Sequence, residues 1–98
     1  MVRKVAIVGI GHSKFGVRTD ASLREIAFEA VGACFEDADA TQKDIDVAVT
    51  GIASDELSFA LQPSAQISDY VGIPPKPNFR VEGACATGSM AVRTGWMT

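Results

Sequence analysis

The apolar positions change their period twice within the first forty residues. From Lys4 to Ile10 the chain reads Lys-Val-Ala-Ile-Val-Gly-Ile, an almost unbroken apolar run rich in β-branched residues and closed by Gly9 and Gly11. That pattern predicts a buried strand, central in a sheet, passing into a loop. From Ser22 the spacing becomes helical. Leu23, Ile26, Ala27, Ala30, Val31, Cys34 and Ala38 recur at i, i+3, i+4, i+7, while Arg24, Glu25, Glu29 and Glu36 fall mostly on the other side. Ser22 followed by Glu25 has the spacing of a capping box, in which the serine oxygen and the glutamate carboxylate each accept from a backbone N–H that the helix leaves unpaired.

Thr41-Gln42-Lys43-Asp44 suits a short capped turn, and Ile45 to Ile52 then predicts a second strand ending at Gly51 and Ala53. A β-α-β order calls for a parallel pair joined by a right-handed crossover. Gln62-Pro63 opens a second helix running to about Val71, with Ile67, Tyr70 and Val71 inward and Gly72 after its end. Pro74-Pro75-Lys76-Pro77 is a stiff connector. Phe79 to Val81 makes a third strand, which delivers Cys85 to the start of a third helix. The expected class is α/β, in the order β-α-β-α-β-α, with a mostly parallel sheet.

Ninety-eight residues allow one domain at most, covering 1–98. Hydrophobic residues make up 47% of the chain, and the third helical pattern runs on through Arg93-Thr94-Gly95-Trp96-Met97-Thr98. The expectation is an incomplete fold, with apolar surface intended for further sequence or a partner chain.

The net charge of −3 comes from twelve carboxylates and nine scattered Lys and Arg, with no basic stripe, which argues against nucleic-acid binding. The apolar run after Arg3-Lys4 is too short for a signal segment or a membrane span, so a cytoplasmic location without membrane contact is expected. Cys34 falls on a helical apolar face and Cys85 at a glycine-rich turn, and two free thiols are expected. Gly9-Ile10-Gly11 lacks the third glycine of a dinucleotide loop, because Lys14 stands there. Gly83 and Gly88 have P-loop spacing, but Ser89 and Met90 occupy the places of the lysine and hydroxyl residue that reach phosphate and metal. Asp37, Asp39, Asp44 and Asp46 straddle a helix end without the loop of a calcium site, and no Cys or His pair has zinc spacing. Trp96 and Met97 are expected to pack. No metal and no tightly bound cofactor are expected.

Cys85 carries the candidate chemistry. In Val81-Glu82-Gly83-Ala84-Cys85-Ala86-Thr87-Gly88-Ser89-Met90-Ala91-Val92 a strand runs through small residues into a helix, with the thiol at the turn. Unpaired N–H groups at a helix start favour thiolate over thiol, and small neighbours leave room for a substrate. This segment resembles the nucleophile segment of the thiolase superfamily, in which Glu or Asn and a small residue precede Cys-Ala-Ser-Gly and an alanine-rich helix; Thr87 stands where serine is commoner. The resemblance extends through VAIVGIGHSKFG, SLREIAFEAVGACFEDA, DIDVAVTGIA and DYVGI, closest to archaeal and sterol-carrier-type thiolases.

The resemblance implies the N-terminal part of a thiolase-like fold and, for a full form, condensation or cleavage of acyl-coenzyme A by acetyl transfer through an S-acyl Cys85. It implies a coenzyme A thioester substrate, a homo-oligomer, and a synthase and small bridging protein as partners. Arg18, Lys76 and Arg80 are the cations available to an anionic coenzyme A. The family's catalytic histidine lies in a downstream Gly-His-Pro motif and its second cysteine in a Cys-Gly-Gly segment, and neither motif occurs in these residues. His12, the only histidine, sits in a Gly-Ser-Lys loop and is expected to be solvated. The alternatives are a non-catalytic carrier or scaffold and a ketoacyl-synthase-like condensing enzyme.

Overall fold

The computed structural model describes residues 4–53, 67, 72 and 77–98. Helix α1 spans Leu23–Ala38 and starts as its sequence dictates. Ser22 Oγ accepts the Glu25 N–H at 3.3 Å, and Glu25 Oε1 accepts the Ser22 N–H at 3.2 Å. At the other end Asp39 turns left-handed (φ 54°, ψ 47°), aiming its N–H at the carbonyls of Phe35 and Glu36. Short polar residues tolerate that conformation better than most. A 3₁₀ turn, Gln42–Asp44, follows, with Asp44 Oδ2 accepting the Thr41 N–H at 2.9 Å.

Strand β1, Ala48–Gly51, pairs in parallel with strand β2, Asn78–Val81, Ala48 facing Asn78 and Gly51 facing Val81. The Ala48 N–H reaches the Pro77 carbonyl at 2.9 Å and the Ile52 N–H the Val81 carbonyl at 3.4 Å, so pairing runs slightly past both ends. From β2 the chain passes through a 3₁₀ turn, Ala84–Ala86, into helix α2, Thr87–Met97, which packs on both strands. The class is α/β with a parallel strand pair, as the order of periods predicts.

Two expectations about the strands change. Lys4 to Ile10 forms no strand. A strand needs an edge to pair with, and this segment lies against α1 instead. A Cβ on Gly11 would fall 2.3 Å from the Ala30 carbonyl oxygen, and one on Gly9 would fall 2.6 Å from the Ala38 Cβ. The Ile10 N–H donates to Asp37 Oδ2 at 2.9 Å, so a side chain takes a bond that a ladder would have used. The strand expected over Ile45 to Ile52 is ordered as a ladder only at Ala48–Gly51. The helix expected from Gln62 to Val71 lies outside the described residues, apart from Ile67, which is helical. Gly72, expected just past that helix, has φ 82°, the left-handed region that glycine enters most cheaply.

The accessible surface is 7247 Å² for a 10.3 kDa chain. A compact monomer of that mass exposes about 5,400 Å² by surface-to-mass scaling. The extra area includes large apolar side chains: Ile7 is 81% exposed, Phe15 87% and Val17 94%. Trp96 and Met97, expected to pack, are also exposed, and the Arg93 guanidinium lies over the Trp96 ring at 5.3 Å.

Candidate active site

The turn between β2 and α2 is assembled from short-range hydrogen bonds around one buried side chain. Thr87, the first residue of α2, is 7% exposed, and it is the buried polar side chain among the described residues. Its Oγ1 donates to the Ala84 carbonyl at 2.6 Å and accepts the Gly83 N–H at 3.1 Å. The Thr87 N–H also points to the Ala84 carbonyl, and the Ala86 N–H reaches the Gly83 carbonyl at 2.9 Å. The methyl of Thr87 sits against the end of β1. A Cβ on Gly51 would fall 3.0 Å from Thr87 Cγ2 and 3.1 Å from the Thr87 carbonyl oxygen, so glycine at that position admits the threonine.

Ala84, immediately before the thiol, has φ 49°. A residue with a Cβ pays about 1–2 kcal/mol for the left-handed region, and such a conformation persists only where its surroundings fix it. Here both sides of Ala84 are held by side chains: its N–H by the Glu82 carboxylate, its C=O by Thr87. Cys85 is the middle residue of the 3₁₀ turn, exposed and free, and α2 begins two residues later. The thiol therefore stands at the turn before a helix, with small Ala84 and Ala86 on either side. The first turn of α2 supplies N–H groups that have no intrahelical partner.

The other sequence candidates lie elsewhere. His12 is exposed in the loop after Gly11; its Nδ1 lies 2.8 Å from the Ser13 carbonyl and its ring meets Phe15 edge-on at 5.7 Å. Among the described residues no hydrogen bond joins His12 to Cys85. Arg18 is held by Asp20 at 2.9 Å and by Glu29 of α1 at 2.9 and 3.0 Å. The hydrogen bonds to Glu29, then to Asp20, raise the Arg18 pKa further, and the same bonds hold both carboxyls below their usual range. Arg80 donates to the Ile52 carbonyl at 3.0 and 3.3 Å, and Lys76 lies outside the described residues. Of the three cations named for coenzyme A, the two described ones are thus engaged within the chain. Of the four aspartates, Asp37 ties down Ile10 and Asp44 caps the turn after α1. Cys34 is half-buried and free.

In the sequence Thr87 stands where serine is commoner, and nothing in composition marks it out. Its spacing, three residues after Ala84 and four after Gly83, is the signal that a hydroxyl at the helix start can bond back across the turn. The Arg18–Glu29 pair spans eleven residues and had no comparable local signal.

Two archaeal proteins align with almost the whole chain. The acetyl-CoA acetyltransferase of Methanothermobacter thermautotrophicus is 38% identical over 97 residues, which is 98% of this chain and 25% of the relative. That of Methanocaldococcus jannaschii is 40% identical over 93 residues, 94% of this chain and 24% of the relative. The chain is thiolase-like in sequence over nearly its whole length. It spans about a quarter of the length of these curated relatives, and no family model matches it. The thiolase-like match includes the turn that carries Cys85, since 97 of the 98 residues are aligned with the first of them. Among the described residues no helix is long and apolar enough to cross a membrane.

Proposed function

We propose that this chain is the N-terminal, acyl-accepting part of a thiolase-like acyltransferase, with Cys85 as the nucleophile that receives an acyl group from a coenzyme A thioester. The observation that carries the reading is the placement of an exposed thiol in a side-chain-braced turn directly before α2, within sequence that matches acetyl-CoA acetyltransferases. The relatives' names also favour this reading over a ketoacyl synthase.

The chemistry follows from the turn. The Cys85 thiolate attacks the thioester carbonyl carbon, and the carbonyl electron pair moves to oxygen. When the tetrahedral adduct collapses, the bond from that carbon to the coenzyme A sulfur breaks. Coenzyme A departs as thiolate and takes a proton from solvent, leaving the acyl group on Cys85. N–H groups at the start of α2 serve as donors to the developing oxyanion. Condensation of that acyl group with a second acetyl unit needs a positioned base, typically worth 10² to 10⁴ in rate. His12 contacts the Ser13 carbonyl and the Phe15 ring, and no hydrogen bond joins it to Cys85 among the described residues, which supports a base supplied from elsewhere. In the full form the resemblance assigns that work to a downstream histidine and a second cysteine. A cytoplasmic homo-oligomer, with a synthase and a small bridging protein as partners, completes the reading.

Coenzyme A release from acetyl-coenzyme A tests it. The 98-residue chain should release at most one equivalent and then stop, with no acetoacetyl product, and Cys85→Ser should release none. Release undiminished in Cys85→Ser would remove the nucleophile assignment, and sustained turnover would show that the chain supplies its own base.

A further inference from the structure

Resting on the reading of Cys85 as the acyl acceptor, we infer that Thr87 is the residue that positions it. The position matters because the thiol itself has little to hold it: Cys85 is exposed, and its direction is set by the backbone of the turn. That backbone holds a strained conformation at Ala84, φ 49°, one residue before the sulfur. Thr87 spans the strained residue. Its hydroxyl hydrogen goes to the Ala84 carbonyl at 2.6 Å, and its lone pair takes the Gly83 N–H at 3.1 Å, so one buried oxygen ties the Glu82–Gly83 peptide to the Ala84–Cys85 peptide across Ala84. Its methyl is wedged against Gly51 at the end of β1, which ties the turn to the sheet. Burial to 7% exposure keeps water from competing for either bond. The Glu82 carboxylate completes the brace by accepting the Ala84 N–H.

The chemical consequence is that removing one oxygen lets Ala84 relax toward an ordinary φ and swings the sulfur away from the approach line of a thioester. Thr87 does not touch the substrate in this account; it acts through the direction of Cys85. A misplacement on the order of 1 Å costs up to about 100-fold in rate, and at least about tenfold is expected here.

Thr87→Val keeps the shape and removes the oxygen; Thr87→Ser keeps the oxygen and removes the methyl. Acetylation of Cys85 by acetyl-coenzyme A should slow at least about tenfold in Thr87→Val and stay within about twofold of wild type in Thr87→Ser, while alkylation of Cys34 is unchanged in both. The Gly83 amide should exchange with solvent slowly in wild type and in Thr87→Ser, and fast in Thr87→Val. A role in folding alone would change the melting temperature and both thiols together, without rescue by serine. Wild-type acetylation by Thr87→Val, or serine no better than valine, overturns the inference while leaving Cys85 as acceptor. If wild-type Cys85 takes no acetyl group, the acceptor reading falls and the positioning inference with it; the amide exchange then still decides whether the Thr87 brace exists.

Discussion

Two glycine-containing loops among the described residues, one after Ile10 and one after β2, are built by opposite means. The turn after β2 is fixed from inside: a parallel ladder leads into it, a buried threonine bonds across it, and a helix leaves it. The segment after Ile10 is fixed from outside. It leans on α1 through the close approach of Gly9 and Gly11, is pinned by Asp37, and ends at a clasp of Arg18 with the surface carboxylates of Asp20 and Glu29. Each loop carries one residue of catalytic type, Cys85 in the first and His12 in the second. Only the first has a buried polar group to hold its geometry, and chemistry that depends on sub-ångström placement needs that kind of support.

The largest expected effect comes from breaking the second loop. A methyl at Gly11 would fall 2.3 Å from the Ala30 carbonyl oxygen and 2.5 Å from the Cys34 nitrogen, and a helix backbone cannot give way as a side chain can. Gly11→Ala should therefore cost about 1–3 kcal/mol, the usual range for overpacking, seen as a lower urea midpoint. Alkylation of Cys85 should stay within about twofold of wild type, because sites without shared partners act nearly independently. A parallel collapse of Cys85 reactivity would mean that the two loops form one unit.

A smaller effect sharpens the contrast from the other side. Ala84→Gly removes the Cβ that makes φ 49° costly, and the offset is the greater freedom of glycine in the unfolded chain. The net expectation is a gain of at most about 1 kcal/mol in stability together with slower acetylation of Cys85. A loss of stability would show that Ala84 is not strained.

How far these loops could be read beforehand follows the same division. Helix α1 with its capping box, the turn at Gln42–Asp44, and Cys85 before α2 are set by residues within a few positions of one another, while the parallel pairing of β1 with β2 follows from the order of the elements, and all of these are legible. The run from Lys4 to Ile10 has the composition of a strand. Composition cannot say which edge is free to pair, and here the Ile10 N–H goes to a carboxylate of α1. Arg18 was legible as a cation, while its engagement by Glu29 depends on how the loop folds over α1. Thr87 was legible as a hydroxyl at the right spacing, but the burial that gives the hydroxyl its leverage comes from β1.

The smallest effect concerns the clasp. Hydrogen bonds from Arg18 hold the Asp20 and Glu29 carboxyls below their ordinary values, so their contribution is fully present above the usual carboxylate range near 4 and is lost as the pH falls through the depressed values. Amide protection around Arg18 and Asp20, taken relative to the intrinsic exchange rate at each pH, should fall below about pH 4 and recover with added base, and Glu29→Gln should flatten part of that response. The two carboxylates are exposed although the Arg18 side chain is largely covered, so added salt should weaken the clasp as well. No change with acid or salt would mean that the clasp contributes nothing to the loop.

The most direct measurement locates the acetyl group. After brief exposure to acetyl-coenzyme A, digestion and mass spectrometry should find one acetyl on the peptide that contains Cys85, formed well before any on Cys34, and the adduct should be cleaved by hydroxylamine as a thioester is. An acetyl group that lands first on Cys34 or on a lysine, or an adduct that persists in Cys85→Ser, would contradict the account.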